Sequence, residues 1–146
     1  MDAMDWALLA ELQADARLSY SELSRRVHLS APAVAERVRR LEESGVITGY
    51  HAMVDPTLAG RPVHAMIKMS CYGPLCVLRD ESVLAWPEIL RVERVTGDTC
   101  CLLRIATTSM AGFEALIDRL AQHGQPSSTM ILSSPVPWRA LAPDPG

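Results

Sequence analysis

The sequence predicts an α+β protein in two parts. A three-helix unit stands at the N-terminus, followed by a β-α-β-β-α-β unit that is ferredoxin-like in plan. Two observations carry this. Helix-capping residues and apolar residues at helical spacing recur through the first 45 residues. After "DPTLAG" (55–60) the apolar period becomes two, with Val63, Ala65, Ile67, Met69 and Cys71 alternating along "VHAMIKMSCY".

Asp5 is placed to cap a first helix, in which Leu8, Leu9 and Leu12 form an apolar stripe. "SYSE" (19–22) is a capping box: Ser19 accepts from a backbone N–H and Glu22 reaches back. It opens a second helix carrying Leu23 and Val27. "VHLS" breaks the pattern, and Ser30 caps a third helix with Pro32 in its first turn, where a missing N–H costs nothing. Gly45 ends that helix as a left-handed cap. "VITGYHAMV" (46–54) is β-branched and extended. Residues 1–54 therefore form the first domain, and 55–62 the linker.

The second domain is expected over 63–136. It opens with a strand over 63–72. A helix over 75–86 carries Leu75, Leu78 and Trp86 and is ended by Pro87. "ILRVERV" (89–95) and "TCCLLRIAT" (99–107) read as a hairpin around Gly97-Asp98. Ser109 caps a helix over 110–123 with Phe113, Leu116, Ile117 and Leu120 inward, and "STMILSS" (128–134) supplies the last strand. The tail, 137–146, follows the surface, pinned by Trp138. The strands are apolar on both faces, with Cys101, Leu103 and Ile105 on one and Leu102 and Ala106 on the other. Two helices cover one face only, so the pattern predicts sheet-against-sheet dimerisation.

The chain has 146 residues, 49% hydrophobic and 21% charged, which is globular rather than disordered. No apolar run approaches the ~20 residues of a membrane span. "MDAMDWALLAEL" carries acids where a signal peptide needs bases, so a cytoplasmic protein with reduced cysteines is expected. The net charge of −3 argues against a polyanionic partner, but its distribution argues for one. Asp2, Asp5, Glu11 and Asp15 crowd the start, whereas Arg17, Arg25, Arg26, Arg37, Arg39 and Arg40 follow against only Glu22 and Glu36.

Two helices joined by a short turn make a helix-turn-helix. At ~100° per residue, Val34, Val38 and Leu41 share the packed face of the third helix. Pro32, Glu36, Arg39 and Glu43 point away, Ala33 and Arg40 flank them, and Arg37 lies between the faces. Small residues at the helix start, Ser30, Ala31 and Ala33, allow close approach to a groove of double-stranded DNA. Arginines one to two turns later reach phosphates or guanine edges. Ser21 and Arg25 on the second helix complete the candidate surface. Glu36 either meets a cytosine amino group or pairs with Arg40. The competing reading of such a charge run is a solvated helix face.

The order Asp2, Asp5, Leu8-Leu9, Leu12, "DAR" (15–17), "SELSRRVHLS" (21–30) and "RVRRLEESGVITGY" (37–50) closely resembles the Lrp/AsnC family of bacterial and archaeal regulators. The likeness continues through "VTGD" and covers roughly residues 2–134. The resemblance implies a winged helix-turn-helix domain followed by an amino-acid-sensing (RAM) domain. It also implies homodimers that join into larger rings such as octamers. It places a small-molecule effector, usually an amino acid, between subunits at Thr96, Gly97, Asp98, Thr99 and Cys100, with Met110 and Met130. The family pattern there is Gly-x-x-Asp followed by an aromatic; here Cys100 and Cys101 hold those two positions. Either Asp98 supplies the charge that an ammonium group needs, or the effector is not an ordinary amino acid, or the site is lost. A sirohaem-decarboxylase-like enzyme and a stand-alone effector-binding or assembly protein share the architecture, and the arginine-bearing third helix favours the regulator.

No cofactor and no metal are expected. Cys71 and Cys76 have a zinc-like spacing, but one is read in a strand and the other just inside a helix, and Cys100 and Cys101 point to opposite faces of theirs. A disulfide between those neighbours is strained, and thiol sensing through one exposed cysteine stays open. The four histidines (28, 51, 64, 123) form no nucleophile motif, and no phosphate-cradling glycine loop occurs.

Overall fold

A computed structural model describes residues 1–71 and 73–144, in two compact units: 1–53 with the tail from 136, and 54–135. In the first unit, α1 (Ala3–Ala14), α2 (Tyr20–Val27) and α3 (Ala31–Glu43) surround a core of Leu8, Leu12, Leu23, Val27, Val34 and Val38. The cap of α1 differs from the expectation. Asp2, not Asp5, is the N-cap, and Asp5 sits three residues in as the second half of a capping box. Both residues have cap chemistry, and the more N-terminal one frees Asp5 to satisfy the Asp2 backbone N–H at 2.9 Å.

The other caps form as read. Ser19 and Glu22 make the box of α2, and the Ala33 N–H donates to Ser30 Oγ at 3.3 Å. His28 closes α2 in the left-handed conformation (φ 55°), and Gly45 (φ 73°) turns the chain out of α3. The stretch 46–54, expected to be extended from its β-branched composition, contains no strand. Among the described residues of this unit there is no strand to accept its ladder bonds, and Met53 is exposed. The tail is held at Leu141: the Gln13 side chain donates to its carbonyl at 2.9 Å and accepts from its N–H at 2.7 Å. Trp138 is half exposed and shares a groove with Leu141, Trp6 and Leu9.

The second unit is one antiparallel sheet in the order β2-β3-β1-β4. Its strands are β1 (Val63–Cys71), β2 (Ile89–Arg94), β3 (Cys101–Thr107) and β4 (Gly124–Met130). Tyr72, read as the end of the first strand, lies outside the described residues, as do Pro145 and Gly146 of the tail. Ala65, Ile67, Met69, Cys101, Leu103 and Ile105 form one buried sheet face under Val77, Val83, Leu116 and Leu120. The last two belong to α5 (Met110–Ala121), whose Phe113 and Ile117, also expected inward, are partly buried and pack against the margin of this core. By strand alternation the opposite face carries Met66 and Lys68 from β1 and Leu102 and Arg104 from β3.

Two elements depart from the sequence reading. The helix expected over 75–86 is broken into 3₁₀ turns at Gly73–Leu75 and Val77–Arg79 and a single α-turn, α4 (Glu81–Leu84). Cys76 is extended between the turns, and the Asp80 carboxylate accepts from the N–H groups of Ser82 and Val83. Asp80 thus restarts the helix where the apolar spacing suggested continuity, and Leu75 is left exposed. The last strand runs over Gly124–Met130 instead of 128–134. Its Gly, Pro and Ser residues are poor strand formers, tolerated because β4 is a sheet edge. Gly124 pairs with Cys71 so tightly that a Cβ on it would come 2.4 Å from the Ser70 carbonyl oxygen. Among the described residues no helix is long and apolar enough to cross a membrane.

Candidate functional site

The helix-turn-helix surface is built by α2, the turn at His28 and the start of α3. Leu23 and Val27 from α2, and Val34 and Val38 from α3, are buried together, which fixes the angle between the two helices and leaves the opposite sides in solvent. Ser21, Arg25, Ser30 and Pro32 are exposed, and Ala31 and Ala33 are half-buried beside them. The opening turn of α3 thus presents small side chains and backbone N–H groups, with one N–H taken by Ser30 Oγ.

The arginines divide sharply. Arg37 is not a free cation between two faces: Nη1 donates to Asp5 Oδ1 at 2.6 Å and to Asp2 Oδ2 at 2.8 Å, tying α3 to the capping box of α1. Arg26 likewise pairs with Glu11 at 2.7 Å. The acidic start of the chain therefore neutralises part of the basic stripe that follows it. Glu36 pairs with Arg39, not with Arg40. Arg39 reaches Glu36 at 2.6 Å and Glu43 at 2.5 Å, one turn on either side. These bonds raise the Arg39 pKa, and the Arg39 guanidinium lowers that of Glu36. Among the described residues Arg25 and Arg40 make no ion pair, and both are exposed. The Asp2–Asp5–Arg37 cluster escaped the sequence reading. Its signal was the D-x-x-D spacing at the start of α1, which is a capping box in acidic form.

The β2–β3 hairpin holds the second candidate site. Thr96, Gly97 and Asp98 are exposed at its tip, and Thr99 and Cys100 are half-buried on the return. Ser70 Oγ donates to the Asp98 carbonyl at 3.1 Å, and the Cys100 N–H to the Met69 carbonyl at 2.7 Å, so the turn is anchored to the end of β1. Met110 and Met130 are elsewhere. Cys101 pairs with Met69 but Met130 pairs with Ala65, four residues back along β1, or about 13 Å in the strand direction. Met110 opens α5 beyond the far end of β3 and lines a shallow groove with Phe113, Ile117 and Ser128. Within one chain the seven candidate residues are split between the two ends of the sheet.

The cysteines are less dispersed than their spacing implied. Cys101 is fully buried in the core, and burial pushes its thiol up to about 11. Cys71, Cys76 and Cys100 converge, with all three sulfurs within 4.8 Å of one another. The Cys71 N–H donates to Cys100 Sγ at 3.3 Å, which holds the Cys100 thiol below its ordinary value, whereas burial raises that of Cys71. Cys76 joins the other two from the extended position between the two 3₁₀ turns.

Residues 1–42 match the AsnC-type helix-turn-helix domain, and residues 80–140 match the Lrp/AsnC ligand binding domain. The HTH-type transcriptional regulator Rv2324 of Mycobacterium tuberculosis is 35% identical over 140 residues, covering 92% of this chain and 93% of the relative. The structure of Bacillus subtilis LrpC superimposes with a TM-score of 0.87 at 31% identity, covering 92% of this chain and 96% of LrpC. The feast or famine regulatory protein Rv3291c of M. tuberculosis, complexed with L-methionine, superimposes at 0.87 and 32% identity, covering 97% of this chain and 99% of that one. Capped helix-turn-helix, ferredoxin-like sheet and end-to-end similarity agree: the chain belongs to the Lrp/AsnC family of transcriptional regulators.

Proposed function

We propose that this chain is a sequence-specific DNA-binding regulator that acts in the cytoplasm as a homodimer or a larger assembly such as an octamer, and that it is not an enzyme. The observation that carries the reading is the open face of the helix-turn-helix, where small residues begin α3 and the exposed Arg25 and Arg40 make no ion pair among the described residues. Ser21, Ser30, Ala31, Pro32 and Ala33 approach the backbone and groove of double-stranded DNA, and Arg25 and Arg40 meet phosphates or guanine edges. Glu36 and Arg39 join them by exchanging their mutual bond for DNA contacts, and Arg37 holds α3 in place from behind. The test is fluorescence anisotropy with the DNA upstream of its own gene and a scrambled control over a range of salt. The native sequence binds more tightly, and log affinity falls linearly with log salt. Affinity that does not respond to salt sinks the reading. Haem-type absorbance in the purified protein would instead support the sirohaem-decarboxylase-like enzyme.

The same reading includes an amino acid or related metabolite as effector. Thr96, Gly97, Asp98, Thr99 and Cys100 of one copy, with Met110 and Met130 of another, bring together groups that a single chain keeps apart. The L-methionine bound by the M. tuberculosis relative supports this class of ligand. The open sheet face with Met66 and Leu102 supports pairing between copies. A thermal-shift screen of amino acids, with particle size measured alongside, tests both parts. No ligand moving either quantity counts against an effector site.

A further inference from the structure

We propose that Cys71, Cys76 and Cys100 form a three-thiolate site for one thiophilic metal ion of the Zn²⁺ or Cu⁺ type. The three come from separate segments: the end of β1, the extended residue between two 3₁₀ turns, and the return of the β2–β3 hairpin. Their sulfurs already lie within 4.8 Å of one another. A metal–sulfur bond of about 2.3 Å sets sulfurs about 3.8–4.0 Å apart in tetrahedral or trigonal geometry. Closing the triangle onto an ion therefore takes shifts of less than about 1 Å, within the reach of χ1 adjustments. A disulfide would use two of the sulfurs and leave the third without a role.

The surroundings suit a soft ion. The donors are all sulfur, which selects Zn²⁺, Cu⁺ or Cd²⁺ over Mg²⁺ or Ca²⁺. The Cys71 N–H at 3.3 Å from Cys100 Sγ is the kind of bond that stabilises a bound thiolate. Cys76 is buried, whereas Cys71 and Cys100 are half-buried, so the site is shielded on one side and reachable on the other. Three sulfur ligands leave a fourth position open on Zn²⁺. Binding converts thiols to thiolates and releases their protons to solvent. Cys100 also belongs to the hairpin turn, so an ion held there would stiffen the segment to which the proposed effector site belongs. The inference does not depend on the regulator reading, since its readout needs neither DNA nor an amino acid.

The probe is Cd²⁺, titrated anaerobically into the freshly reduced full-length protein. The expected result is a sulfur-to-metal charge-transfer band that saturates at one ion per chain, with three sulfurs in the X-ray absorption spectrum. Cys100→Ser, at a half-buried position, should weaken binding by at least about tenfold and lower the sulfur count to two. Cys71→Ser is a second variant with the same expectation, and circular dichroism checks that each is folded. No saturable band in the wild-type protein overturns the proposal, as does an unchanged band in folded Cys100→Ser. Formation of a disulfide among these thiols under mild oxidation, without one-to-one uptake of metal, overturns it in favour of a redox pair.

Discussion

Arg37, at the middle of the third helix, donates to the Asp5 carboxylate at 2.6 Å across the first domain, and Asp5 is only 6% exposed. The pair joins α3 to the capping box of α1. Arg37→Ala should therefore lower the melting temperature by several degrees and weaken DNA binding only in proportion to lost folding. The acid limb of stability reports the same cluster. Each carboxyl is held below the ordinary aspartate value first by the other residue's backbone N–H, with Arg37 adding to it and desolvation of the carboxylate opposing. With the folded pKa values depressed, the stabilisation is complete above the unfolded value of about 4 and is lost as pH falls through the lower folded values. Thermal melts at falling pH should show this loss, and a smaller one in Arg37→Ala.

Arg40 and Arg39 should not behave alike. Arg40 makes no ion pair among the described residues, so, if the proposed DNA face is right, Arg40→Ala should reduce the salt slope by about 1. Arg39 is clamped by Glu36 and Glu43 and must leave both to reach a phosphate. Arg39→Ala should weaken binding less than Arg40→Ala. Equal losses, measured by anisotropy at matched salt, would contradict the division.

His28 holds a left-handed conformation at φ 55° in the turn between α2 and α3. That conformation costs a side-chain-bearing residue ~1–2 kcal/mol, whereas glycine adopts it freely at an entropic cost of ~0.5–1 kcal/mol. His28→Gly should raise stability by about 0.5–1 kcal/mol in urea unfolding. A loss of stability would mean that the imidazole makes a contact that outweighs the backbone term.

Gly124→Ala should act in the opposite direction. The added Cβ meets the Ser70 carbonyl oxygen at 2.4 Å and Cys71 Cα at 2.9 Å, both backbone atoms without a rotamer to escape into. Overpacking of this kind costs roughly 1–3 kcal/mol, to be read as a lower urea midpoint.

The sequence disclosed the helix-turn-helix because its signals are local. Ser19, Glu22 and Ser30 cap the helices they begin, and Val34, Val38 and Leu41 bury the face they share. What it concealed depends on distant partners. Nothing near Arg37 in the chain announces Asp5, which is 32 residues away. Strand propensity favours "STMILSS", yet β4 begins earlier, at the pairing of Gly124 with Cys71. The three thiols converge from the end of β1, the break at Cys76 and the β2–β3 hairpin, a tertiary outcome that spacing does not encode. The candidate effector residues were legible only as a motif; their separation along β1 required the strand register.

That register has a single origin. Because only a residue without a side chain fits beneath Cys71, Gly124 serves as the zero mark of a ruler laid along the sheet edge, and every later residue of β4 is read off from it. Pro126, Ser128 and Met130 fall on even divisions and share the helix-facing side, while Gln125, Ser127 and Thr129 fall on odd ones. Slipping the mark by one division would exchange the two sets, turning Met130 to the opposite face and taking Ser128 out of the groove beside Phe113. The polar edge residues are free to vary in kind as long as the count from the origin is kept.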